Sequence, residues 1–95
     1  MEFIREEQFE LDGKTFDIRL VKNIGDFIVR AFYDNRPASH MYSVEEMTRV
    51  GFTKQFGYDP IIDLFESVKE EIVNGTWEKY LALSVGSREE IKDEN

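Results

Sequence analysis

The chain has 95 residues, a net charge of −8 and no cysteine: room for one domain with its own core, and none for disulfides, thiolate zinc sites or a cysteine nucleophile. The acidic balance, with an isoelectric point near 4.6, argues against nucleic-acid binding. No apolar run approaches the ~20 residues of a membrane span, and Met1 to Glu7 lack the apolar core of a signal peptide, so the cytoplasm is the expected location.

From Phe3 to Val44 the chain alternates in period two between turn signals, the pattern of half-buried strands. Leu11-Asp12-Gly13-Lys14 is the clearest turn, because Asp-Gly tolerates the positive φ angles of a two-residue hairpin. It sets Phe9 opposite Phe16, Glu6 opposite Arg19 and Ile4 opposite Val21. A four-residue loop at Asn23-Ile24-Gly25-Asp26 pairs Leu20 with Val29, Ile18 with Ala31 and Phe16 with Tyr33. A third loop at Asp34-Asn35-Arg36-Pro37 pairs Tyr33 with Ala38, Ala31 with His40, Val29 with Tyr42 and Phe27 with Val44.

These registers agree on one core face, which matters because a one-residue slip would turn every side chain over. Phe9, Phe16, Ile18, Leu20, Phe27, Val29, Ala31, Tyr33, Ala38, His40 and Tyr42 share it. The outer face carries Glu6, Gln8, Thr15, Asp17, Arg19, Arg30, Ser39 and Ser43, with Ile4, Val21, Ile28, Phe32 and Met41 among them.

At Ser43 the period changes. Ser43-Val44-Glu45-Glu46 has the spacing of a capping box, and a helix weakened by Gly51 runs on to Gly57. A firmer helix opens at Asp59-Pro60, with Asp59 as its cap and Pro60 in the first turn. Ile61, Leu64, Phe65, Val68 and Ile72 form its apolar stripe, and Asn74-Gly75 ends it. Residues 76–83 are ambiguous between a short third helix and an extended segment, with Trp77, Tyr80, Leu81 and Leu83 as anchors. The expected architecture is α+β: a four-stranded antiparallel meander (ββββ) followed by two helices, or three, on one face. Residues 1–85 form the single domain, and 86–95 are expected to be a disordered acidic tail.

Strands followed by Ser43-x-Glu45-Glu46 and a helix resemble, in topology and cap alone, the small sheet-and-helix domain of bacterial antitoxins of the HicB type. The resemblance implies no activity for this chain.

Chemistry is sparse. His40 is the sole histidine and the natural proton-transfer group near neutral pH, with Tyr33, Tyr42 and Asp34 as neighbours. A satisfied histidine anchoring the end of the sheet is preferred over a catalytic one, so His40, Tyr33 and Tyr42 stand as weak catalytic candidates. Asp59, Asp63, Glu66 and Glu70 share a helix face but lack calcium-loop spacing; a solvated face is preferred, and no metal or cofactor is expected. Arg36, in a polar turn, has the geometry to hold a carboxylate or phosphate, although a tight turn explains its neighbours as well.

The outer face is more informative. Val21, Ile28, Phe32 and Met41, with Arg30 beside them, are more apolar than solvent requires, and apolar patches rimmed with charge mark contact surfaces. The candidate interface is therefore Val21, Ile28, Arg30, Phe32 and Met41. The expected function is a small interaction module, a homodimer or the partner of another protein, working through this face or an edge strand. The alternatives are cover by the chain's own C-terminal segment, or a small enzyme or ligand-binding protein with a pocket between sheet and helices around His40.

Overall fold

The structure is a computed structural model and describes residues 1–83; the proposed tail at 86–95 lies outside them. Strands β1 (Glu2–Leu11), β2 (Lys14–Asn23) and β3 (Asp26–Tyr33) form an antiparallel meander. The expected fourth strand is divided into β4 (Arg36–Pro37) and β5 (Tyr42–Glu45), both paired with β3. Helices α1 (Glu46–Phe56) and α2 (Ile61–Asn74) follow. Residues 76–83 are helical, which resolves their ambiguity, and are called α3.

Three two-residue turns join the strands. Asp12 and Gly13, Ile24 and Gly25, and Asp34 and Asn35 all have positive φ, as this kind of hairpin requires. The second is tighter than the four-residue loop expected, yet Leu20 still pairs with Val29 and Ile18 with Ala31. Ile24 is the odd residue there. Its φ of 57° is strained for a β-branched side chain.

Two registers differ from expectation. In β1, Phe3 and not Ile4 pairs with Val21, and the register shifts between Phe3 and Arg5. Ile4 is the extra residue of a bulge, so Phe3 joins the outer face while Arg5 turns to the helices, its guanidinium 4.6 Å from the Phe65 ring. Beyond the third turn, Tyr33 pairs with Arg36, not Ala38, and the Ala38 amide donates to Ala31 O at 2.8 Å. Val29–Tyr42 and Phe27–Val44 pair as expected. Three residues, Ser39 to Met41, therefore stand where one would fit opposite Arg30. This excursion removes His40 from its expected place opposite Ala31.

The core joins the expected sheet face to α2. Ile18, Leu20, Phe27, Val29 and Ala31 are buried against Ile61, Phe65, Val68 and Ile72. Asp59 Oδ1 accepts the Ile61 amide at 3.1 Å, the capping role expected of it, and Gly75 closes the helix with φ 65°. The capping box at Ser43 does not form. Ser43 is paired with Ile28 inside β5, and α1 begins at Glu46 without a side-chain cap. No residue of α1 is buried. It is tied down chiefly by Arg49, which donates to both Asp59 oxygens at 3.0 and 2.6 Å and lies 4.4 Å from the Phe27 ring.

Candidate functional site

Two regions bring the singled-out residues together. The first is the outer sheet face. Val21, Ile28, Arg30, Phe32 and Met41 line one shallow groove of about 240 Å³, with Met1 and Arg19. Strand alternation places them: Val21 pairs with Ile28, Arg19 with Arg30 and Asp17 with Phe32. The β1 bulge adds Phe3, 59% exposed, and Met41 is 63% exposed.

Two arginines directly opposite one another would repel, and the fold treats them differently. Arg19 donates to Glu6 at 2.9 Å and to Asn35 at 3.2 Å, and lies over Phe32 with 4.5 Å to the ring centre. Arg30 donates to the Ser39 carbonyl at 2.8 Å and lies 5.3 Å from the Trp77 ring. Among the described residues no carboxylate pairs with it. The helical segment 76–83, one of the covers considered from sequence, instead packs Trp77 and Tyr80 on His40.

The second region is a polar clasp around Glu71, whose side chain is only 2% exposed. The His40 amide donates to Oε2 at 2.8 Å and the Tyr42 hydroxyl to Oε1 at 2.7 Å. His40 Nδ1 lies 3.1 Å from Oε2, which assigns the ring proton to Nδ1. The carboxylate is thus met by three donors, as a buried charge requires. The excursion is satisfied in the same way. The buried Ser39 hydroxyl accepts the Ala31 amide at 2.9 Å and donates to the His40 carbonyl at 2.8 Å. Trp77 and Tyr80 meet the His40 ring edge-on, both at 4.9 Å. The hydrogen bond to Glu71 is the main reason the Tyr42 phenol is pushed up to about 12, with burial and the charges of Glu71 and Glu70 adding to it.

Of the three weak catalytic candidates, His40 and Tyr42 meet on Glu71 and Tyr33 does not join them. Tyr33 packs on Phe16 at 5.4 Å, with Lys14 Nζ 5.6 Å from its ring. Asp34, considered as a partner of His40, forms the β3–β4 turn. Of the carboxylate row, Asp59 is held by Arg49, which keeps its carboxyl below the usual range. Asp63 accepts from Tyr58 at 3.0 Å, and Glu66 lies 3.6 Å from Lys69. Sequence reasoning missed Glu71. The available signal was its position: three residues after Val68 and beside Ile72, it interrupts the apolar arc of the helix.

No family model, curated protein or solved structure matches the chain.

Proposed function

We propose that the protein is a small interaction module that self-associates through its outer sheet face, two copies packing sheet to sheet about a twofold axis. The observation that carries this is the groove in which Phe32, Ile28, Val21 and Met41 meet around Arg30.

Size supports it. Three strands of eight to ten residues with the short β4 and β5 beside them, at ~3.3 Å per residue and ~4.8 Å between strands, present on the order of 500 Å² of projected face. Side-chain relief raises the accessible area toward the ~800 Å² per partner of a standard interface. Aligned sheet packing would bury the apolar groove, with the charged residues of the face set around it as in the polar rim of an interface.

Charge supports it too. Arg30 has no carboxylate among the described residues and Asp17, one strand away on the same face, has no cation. An isologous contact offers each arginine the other copy's Asp17.

The face is favoured over either edge. At one edge β1 carries Glu2, Glu6, Glu7, Glu10 and the bulge at Ile4. At the other, Pro37 and the break between β4 and β5 interrupt pairing. Bulges, charge and proline are features that discourage strand addition.

Light scattering tests the proposal. The native chain should show twice its 11.2 kDa mass, and Met41→Asp should return it to one, with the circular dichroism unchanged. A native chain that is monomeric at about 100 μM, well above a micromolar dissociation constant, would overturn it.

A further inference from the structure

The two long strands outrun the helix laid over them. Ten residues of β2 extend ~33 Å at ~3.3 Å each, whereas the 14 residues of α2 cover only ~21 Å at 1.5 Å each. The helix-side face of the sheet therefore continues past the end of α2, where α3 walls it off. Between them lies a cleft of about 230 Å³. Its sheet side is Phe16, Tyr33 and Ala38, and its α3 side is Trp77 and Leu81.

The charges around this apolar cleft are unevenly satisfied. Lys14 and Arg36 line it, and neither has an ion-pair partner among the described residues. Two acids line it as well, Glu71 and Glu78; Glu78 too has no ion-pair partner among the described residues, which leaves two unpaired cations against one unpaired acid. Glu71 is spent on His40 and Tyr42, so it offers no free acceptor to a ligand and its charge repels an anion from that end. Lys14 and Arg36 reach the cleft from the ends of β2 and β4 that flank the turns.

We infer that this cleft binds a small aromatic monocarboxylate, with its ring against the apolar lining of Phe16, Ala38 and Leu81 and its carboxylate on Arg36 and Lys14, the lysine leaving the Tyr33 ring it lies over. The planar guanidinium matches a carboxylate in two-point geometry. The volume suits one ring with a short arm and is below that of a drug-sized site. The cleft shares no lining residue with the outer groove, but Arg30 of that groove lies 5.3 Å from the Trp77 ring, so ligand titration is repeated in Met41→Asp, where the carboxylate response should persist.

Trp77 is the single tryptophan, so its emission reports on the cleft directly. The full chain is titrated with 3-phenylpropanoate, the uncharged 3-phenylpropanamide and the cationic phenethylamine. The carboxylate should give a saturable change with half-saturation at about 1 mM or below, and the amide should bind at least about tenfold more weakly. Arg36→Gln should weaken the carboxylate by about tenfold and Lys14→Gln by less. Lys54→Gln, on α1, should change nothing, and Glu78→Gln should tighten binding by removing a like charge. No saturable response, equal response to acid and amide, or tighter binding of phenethylamine would each overturn the inference. So would full affinity in Arg36→Gln.

Discussion

On the helix-bearing face of the sheet, Leu20, Val29 and Ala31 are buried, while one residue along the same strands Val21, Ile28 and Phe32 are half-buried. Both faces are made by the same alternation, and both are rich in branched and aromatic side chains. The difference is the second layer. α2 brings Ile61, Phe65, Val68 and Ile72 to one face, and no described element lies across the other groove. Apolar content therefore does not tell a core from a contact surface; what packs on it does.

The comparison breaks first at the core. Phe65→Ala removes a buried ring from the α2–sheet contact and from under Arg5, and should cost about 3–5 kcal/mol in urea unfolding. The equivalent cut on the outer face, Met41→Ala, should change the stability of the dissociated chain by less than about 0.5 kcal/mol, any further loss at high concentration coming through weaker association. Equal losses at the two sites would erase the distinction between the faces.

Glu71→Ala comes next. It strands the His40 amide and the Tyr42 hydroxyl without their acceptor, and should cost about 2–3 kcal/mol. It should also loosen α3, seen as a shift in Trp77 emission.

The same clasp gives a pH signature. Because the folded Tyr42 phenol is raised from 10.0 to about 12, it favours the fold in its protonated form. That stability is complete below pH 10 and is lost as pH rises toward 12. Tyr42→Phe should flatten this part of the stability–pH curve.

The smallest effect is a gain. Ile24 is 97% exposed at a φ that suits asparagine. Ile24→Asn should raise stability by about 1 kcal/mol, read as a higher melting temperature.

Much of this is legible in the sequence. Three turn signals placed the hairpins, and mutually consistent registers gathered the interface candidates on one face. The errors cluster at bulges. Ile4 and the excursion at Ser39 to Met41 add residues that period-two reading passes over, since alternation resumes on either side. The bulge at Ile4 is carried by no turn residue. The excursion depends on Ser39 and Arg30 meeting across the sheet, a contact that local sequence does not encode. The same break explains the capping box: Ser43 has cap spacing, but β3 takes it into a strand first.

By itself the sequence determined the α+β class, the core face, the α2 stripe and the amphipathic outer surface, because periodicity and turn chemistry are local properties. Only the tertiary structure decided that Glu71 receives His40 and Tyr42, that Trp77 and Tyr80 pack on the imidazole, and that a cleft remains beyond α2. Those outcomes depend on where a helix of one length ends over strands of another, and on which distant donors reach a carboxylate that has left water.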